Sequence, residues 1–392
     1  DRYSAILTVA TVEYDVDLIS FVSQDFVGYD EDNEVYMIAA DYQISLAPVY
    51  LFQQVVPCGS SLSANLGKTI RVGNFPLLWL TGGSGGYYDV YKGDTFLIAG
   101  TGCIWGGDAS DYAAVTEIDL NGQSLTTDFN FLDKFLNLII LEIGDNNISN
   151  VDVSNLALIE DLRCGVNGIS ILNVTNLTAL KYLKIGDNNI SILDVPNLTN
   201  LIELLLNDNN ISILDVSNLL LIEDLRCKNN NISILNVTNL TALKYLETTG
   251  NPLLSVLDIT NLTELETLYC FSNSLSVLNT LNLFKMKDLR CGGANNIASL
   301  DMSNMAVLHT LSCNNQSLTS LSVINNPLIV FLRIENNQLS SSVNSQILID
   351  LDNHGLLNGY FQSLIFGGGT LTAAALAAKA ALLLKGWTII GL

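Results

Sequence analysis

The chain has 392 residues, of which 49% are hydrophobic and only 14% charged, yet its formal net charge is −22. That balance leaves room for two or three domains with an ample core. It excludes nucleic acid, which needs a basic footprint, and a purely electrostatic hold on anionic membranes.

Residues 1–115 read as a β-rich domain. Stretches 34–40, 43–56, 68–72 and 87–99 are rich in β-branched and aromatic residues, and glycine clusters such as 82–86 separate them. The opening Asp1-Arg2-Tyr3 carries neither an initiator Met nor a secretory signal, so a processed or trimmed chain is expected. A linker is expected at residues 106–111, where Gly106, Gly107 and Asp108 cluster. Cys58 and Cys103 stand outside the repeats described next, and their pairing is left open by the sequence.

From residue 116 to 342 a leucine recurs every 21 residues: Leu141, Leu162, Leu183, Leu204, Leu225 and Leu246. One-residue slips carry it on to Leu268, Leu289, Leu311 and Leu332. Asparagine follows five residues after nearly every rung, at Asn146, Asn167, Asn188, Asn209, Asn230, Asn251, Asn273 and Asn337. A fixed period of this length means stacked supersecondary units. The rung and the residue two after it face inward from a short strand. The chain then turns, and the asparagine amide satisfies backbone groups that the turn would strand inside. A second apolar patch, Leu172 and Val174 with their equivalents, lines the far wall of the coil. Cys164, Cys227, Cys270, Cys291 and Cys313 fall two after a rung, in the slot that holds Ile143, Ile185 and Ile334 elsewhere, and read as small core residues.

These units resemble the leucine-rich repeats of the short bacterial type, with Leu-Asp-Val-Ser-Asn in the return segment. The resemblance implies an α/β-solenoid, mostly strand and loop. Two units depart from the pattern: Gly292 to Ala294 delay the asparagine to Asn295, and Gln316 stands in the asparagine position of the next unit. Residues 158–164 recur at 221–227, and 169–183 recur at 232–246, an offset of 63 that points to block duplication.

Residues 343–392 close the stack as a small α/β cap. Val343, Ile347 and Leu351 have helical spacing, and Asp352-Asn353-His354-Gly355 ends that helix. A strand is expected at 360–366, a helix capped by Thr370 or Thr372 running to Leu384, a stop at Gly386, and a short strand at 387–390. The segment around Lys379 is too short to cross a bilayer, so no membrane insertion is expected. The pattern of this region resembles terminal modules of bacterial surface proteins and of bacteriophage tail or fibre proteins.

Candidate chemistry is sparse. His309, four residues before Cys313, precedes a strand whose cysteine faces inward, so the pair reads as structural. The acidic run 30–34 and the group Asp350, Asp352 and Asn353 lack the closing glutamate of a calcium loop. The triplets at Asn173, Asn197 and Asn239 coincide with the repeat and carry no separate message. No cofactor and no enzymatic activity are expected.

The functional signal is the outward side of the strands. It carries Asp161, Arg163, Tyr182, Lys184, Asp224, Arg226, Tyr245, Tyr269, Asp288, Arg290, Phe331 and Arg333. Arginine and tyrosine are enriched at recognition surfaces. Against this stands the reading that the Asp/Arg sets pair across units and only keep the sheet soluble. The chain is therefore read as a non-enzymatic recognition or attachment protein, exposed on a bacteriophage virion as a tail-fibre or other surface protein. The rival is a secreted or cell-surface bacterial adhesin; further rivals are a shell or filament subunit and an enzyme within residues 1–115. The expected partners are a protein or glycan on a cell surface, assembly subunits through the N-terminal domain, and further copies in a homo-oligomer.

Overall fold

The computed structural model describes residues 116–122 and 132–392, together with five strands within residues 1–115. Two units emerge, Asp1–Asn189 and Ile190–Leu392. In the first, β1 (Phe26–Asp30) pairs antiparallel with β2 (Val35–Ile38). Strands β3 (Leu78–Thr81) and β4 (Asp94–Ile98) flank β5 (Cys103–Gly107), again antiparallel. β2 and β4 fall within predicted stretches, whereas the stretches 43–56 and 68–72, the side chains of the acidic run 30–34, and Cys58 lie outside the described residues. β5 runs through Gly106 and Gly107, where a linker was expected.

The repeats of the first unit form β6 (Glu117–Asp119), β7 (Ile140–Glu142), β8 (Asp161–Arg163) and β9 (Tyr182–Lys184). They pair in parallel, and Ile118, Leu141, Leu162 and Leu183 stand in register. The second unit continues with β10 (Glu203–Leu205), β11 (Asp224–Arg226), β12 (Tyr245–Glu247), β13 (Thr267–Tyr269), β14 (Asp288–Arg290), β15 (Thr310–Ser312) and β16 (Phe331–Arg333). There Leu204, Leu225, Leu246, Leu268, Leu289, Leu311 and Leu332 are aligned in one column. Each of these leucines is wholly buried. Every coil thus repeats the same inward contact, and no coil could bury it without its neighbour.

The strands are short because the chain reverses four residues after each rung. Asp145, Asp187, Asp208, Asn229, Asn315 and Asn336 hold that place with φ between 50° and 56°. Aspartate and asparagine tolerate this left-handed conformation better than other side chains do. Val166 holds the same place at φ 56°, against the strong preference of a β-branched residue.

The next residue fastens coil to coil. Nδ2 of Asn188 donates to the carbonyls of Cys164 (3.0 Å) and Ile185 (3.1 Å), and its Oδ1 accepts from the amide of Ile169 (2.9 Å). Its duplicate Asn251 donates to Cys227 (2.9 Å) and Thr248 (2.8 Å) and accepts from Ile232 (3.0 Å). Each side chain satisfies two carbonyls and one amide that would otherwise be buried unpaired. The irregular coils reach the same end by other residues. Asn295 donates to the carbonyls of Cys270 and Cys291, and Gln316 Oε1 accepts from Ile297 at 2.8 Å.

The C-terminal elements extend the same stack. Helix α1 (Ser341–His354) starts at Ser340, whose hydroxyl accepts from the Val343 amide, and ends at Gly355 with φ 74°. β17 (Tyr360–Gln362) places Phe361 beside Leu332. Helix α2 (Ala373–Leu384) is capped by Thr372, which accepts from Ala375. β18 (Thr388–Ile390) then places Ile389 beside Phe361. Among the described residues no helix is long and apolar enough to cross a membrane.

Candidate functional site

The outward positions of each strand flank the rung by one residue on either side. On a three-residue strand these two side chains leave the same face, about 7 Å apart. An aspartate and an arginine so placed can bond within their own strand, and they do. Arg226 donates from Nε and Nη2 to the two oxygens of Asp224 at 2.9 and 2.7 Å. Arg290 grips Asp288 in the same way at 3.0 and 2.9 Å, and Arg163 grips Asp161 at 3.0 and 2.6 Å. The expectation of Asp/Arg pairing across units is corrected here. The fork closes inside the strand, and the neighbouring coil decides what else each guanidinium meets.

In the second unit the neighbours are tyrosines. The Arg226 guanidinium lies 4.1 Å from the centre of the Tyr245 ring on the following strand. Tyr245 meets Tyr269 edge to face, with centres 5.5 Å apart and planes at 73°. Arg290 covers the Tyr269 ring at 4.7 Å, and the Tyr269 hydroxyl donates to Asp288 at 2.9 Å. Asp224, Arg226, Tyr245, Tyr269, Asp288 and Arg290 thus form one connected surface over four strands. Burial pushes the Tyr245 hydroxyl up to about 12. Burial also raises the Glu247 carboxyl, against the pull of Lys228 and Arg226. Both arginines are raised from their ordinary value, first by their bonds to Asp224 and Asp288. The cations stay charged and their forks are fixed before any ligand arrives.

The other sequence candidates fall into two separate groups. In the first unit, Arg163 also reaches Glu142 on the preceding strand at 2.6 Å. Tyr182 stands in register with Asp161, and Lys184 with Arg163. Farther along the second unit, Phe331 stacks on Tyr360 with centres 4.9 Å apart, and Arg333 pairs with the buried Glu335 at 2.7 Å. Tyr360 and Glu335 were not foreseen as part of this face, because Tyr360 lies beyond the last regular rung. A flanking column of ion pairs joins coil to coil: Lys181 with Glu160, Lys244 with Glu223, and Lys287 with Glu266, at 2.6–2.7 Å. These exposed pairs add little stability individually.

A second surface was missed altogether. Nine residues after the rung, Ile192, Ile213, Ile234 and Val277 point outward, as does Val256 in a coil one residue longer; Ile213 is 79% exposed. Ile171 holds the same place in the first unit at 74%. The periodicity assigns Leu172, Val174 and their equivalents to the wall and leaves the position before each leucine unassigned. The signal was present: Ile171 and Leu172 are adjacent, and in extended chain adjacent residues cannot both face inward. Ser191, Ser212 and Ser233 run on one side of this ribbon, and Asp194, Asp215 and Asn236 on the other.

The remaining candidates carry no chemistry. Cys164, Cys227, Cys270, Cys291 and Cys313 are free and enclosed. Burial pushes Cys164, Cys227 and Cys291 up to about 12, so they are not nucleophiles. Cys313 is pushed well above its usual range by the same cause, and His309 Nδ1 bonds the Val307 carbonyl at 2.7 Å. Asp350 accepts from Gln346 and Asp352 from Lys385. No group of three metal-ligating side chains occurs among the described residues.

The stack can be set beside known proteins. An internalin from Listeria monocytogenes superposes with a TM-score of 0.55 at 21% identity, over 74% of this chain and 90% of that one. The fold is that of leucine-rich repeats. A leucine-rich-repeat protein of Leptospira interrogans matches with a TM-score of 0.54 at 18% identity, over 71% of this chain and 84% of that one. The ectodomain of the Arabidopsis receptor kinase HAESA, solved with a peptide hormone, matches with a TM-score of 0.55 at 22% identity, over 72% of this chain and 51% of that one. No protein-family profile matches the sequence, and no curated protein is detectably similar to it.

Proposed function

We propose that the chain is a non-enzymatic recognition protein that binds a protein ligand on the outward face of its strands. The observation that carries this is the connected Arg226, Tyr245, Tyr269 and Arg290 surface. The inward side chains and the turn asparagines already account for the fold, so these rings and guanidinium groups are surplus to it. Their forks and edge-to-face contact fix the rotamers in advance, which lowers the entropy lost on binding. Tyrosine and arginine are also the side chains on which binding energy concentrates. The HAESA ectodomain, which has this fold, is described with a peptide bound.

We place the protein on or outside a bacterial cell in preference to a virion. Two bacterial proteins share the fold over most of their own length. The likeness of the last residues to phage tail modules draws no support from the geometry. The attachment role of residues 1–115 and the three-part division at 115 and 342 are part of the same proposal. Binding to intact bacterial and animal cells, followed by flow cytometry of the labelled chain, tests it. The Arg226→Ala, Tyr245→Ala, Arg290→Ala triple variant should bind at least about tenfold more weakly, as expected when hot-spot residues are lost, with its melting curve little changed. Equal binding by both forms rejects this face as the site.

A further inference from the structure

The terminal coils of a stacked protein must hide the end of a hydrophobic interior, and natural caps do so with a polar outer side. Here the last described coil is apolar on its outer side. The rung residues from Leu204 to Phe361 in the second unit are wholly buried, whereas Ile389, the last of the column, is only half-buried. β18 pairs with β17 along one edge, and among the described residues its other edge has no strand beside it. Such an edge presents unpaired amides and carbonyls.

Helix α2 tells the same story. It turns Ala375, Ala378 and Leu382 inward. The opposite side is formed by Ala377, Ala380 and Leu384, flanked by Leu376 and Leu383, and Leu384 is 91% exposed. Lys379 lies to one side of the inward face, so α2 is apolar both inward and on its opposite side, and an apolar outer side is normally covered. α2 packs against α1 as β18 packs against β17. The bare side of the helix and the bare edge of the strand therefore both face along the stack, away from the preceding coils. Exposed Leu364 adds to this end.

Charge selects what covers it. The chain has 39 acidic residues, and none of them lies after Asp352. The last forty residues carry only Lys379 and Lys385, and Lys385 is held by Asp352 at 2.6 Å. A chain of net charge −22 repels its own copies over most of its surface. The acid-free end is where that repulsion is weakest, since exposed charges farther away than about 10 Å are largely screened at ordinary salt. An edge strand is also complementary to itself. Rotated by a two-fold axis that runs beside Ile389, midway between the two strands, Thr388–Ile390 can pair antiparallel with its copy, and the two apolar helix sides meet across the same axis.

We propose that two copies of the chain join tail to tail through β18 and α2, forming a two-fold dimer with the ligand-binding strand faces carried outward on both sides. The intact chain at about 50 µM, a concentration that fills a micromolar interface, should sediment as a dimer. The Leu376→Glu, Leu384→Glu variant should sediment as a monomer at the same concentration, which requires its dimer dissociation constant to rise about a thousandfold, from micromolar to millimolar. Both residues are exposed, so the melting curve should not fall. A Leu384→Lys variant, which changes one exposed residue, should behave likewise, and Leu220→Glu, at an exposed leucine elsewhere, should leave the dimer intact. A monomeric wild-type chain overturns the proposal, including one that binds lipid vesicles through this end. So does a dimer that survives the Glu pair and Leu384→Lys.

Discussion

The Asp-Leu-Arg strand occurs in the first unit at Asp161–Arg163 and again, within a near-identical block, at Asp224–Arg226. Both copies close the same fork between carboxylate and guanidinium. The residues in register differ on both flanking strands. On the strand after, Lys184 stands beside Arg163 and Glu247 beside Arg226, and the residue on the strand before differs as well. For Arg163 that residue is Glu142, which takes the guanidinium at 2.6 Å. For Arg226 it is Leu205, which offers no charge, and the guanidinium lies over Tyr245 on the strand after. A repeat therefore fixes the inner side of a strand by its own sequence, whereas its outer chemistry is set by the neighbouring coils.

If the two copies are alike inside, damage to the asparagine column should not depend on which copy is hit. Asn188→Ala and Asn251→Ala should each destabilise by about 1–3 kcal/mol, the cost of leaving buried backbone groups unpaired. Denaturant unfolding of both variants measures this, and a large difference between them would break the equivalence. The turn position sharpens it further, because there the copies differ: Val166 in one, Asn229 in the other, both left-handed. Val166→Asn should stabilise by about 1 kcal/mol, and Asn229→Val should destabilise by at least as much, because a β-branched residue is strained in this conformation. The loss at Asn229 includes its bond to Asp208 at 2.7 Å. Thermal melts of the two exchanges, read side by side, decide the sign.

The smallest effect tests the outer face. Leu205→Glu gives Arg226, on the preceding strand, the carboxylate that Glu142 gives Arg163. A double-mutant cycle between Arg226 and Tyr245 should give a coupling of about 0.5–1 kcal/mol in the wild-type background, as expected of an exposed cation over a ring. The same cycle run in the Leu205→Glu background should give a coupling close to zero. A coupling unchanged by the substitution would show that the neighbouring strand does not steer the guanidinium.

The same contrast explains how much could be read beforehand. The column Leu225, Leu246, Leu268 was legible because each rung meets only copies of itself, so a periodic sequence gives a periodic environment. The asparagine five residues on was legible for the same reason, and even Gln316 could be placed by its spacing. The Asp/Arg forks were misread because two residues apart on one strand is close in space, and sequence offset alone does not say which carboxylate is nearer. The cluster of Tyr245 with Tyr269 joins residues 24 apart, outside the 21-residue period. The outward ribbon of Ile192, Ile213 and Ile234 was missed because that position was left unassigned, although its adjacency to the inward leucine already points it outward. Most of residues 1–115 follows no period, so nothing there could be read by copying.

Residues 158–183 and 221–246 match closely, and the offset between them, 63 residues, is three whole coils. Genetic exchange between the copies would therefore delete or insert three coils at once while every surviving leucine still lands on a leucine. Lineages of this gene can lengthen or shorten the wall in a single recombination event, reshuffling which outer side chains become neighbours without touching the interior.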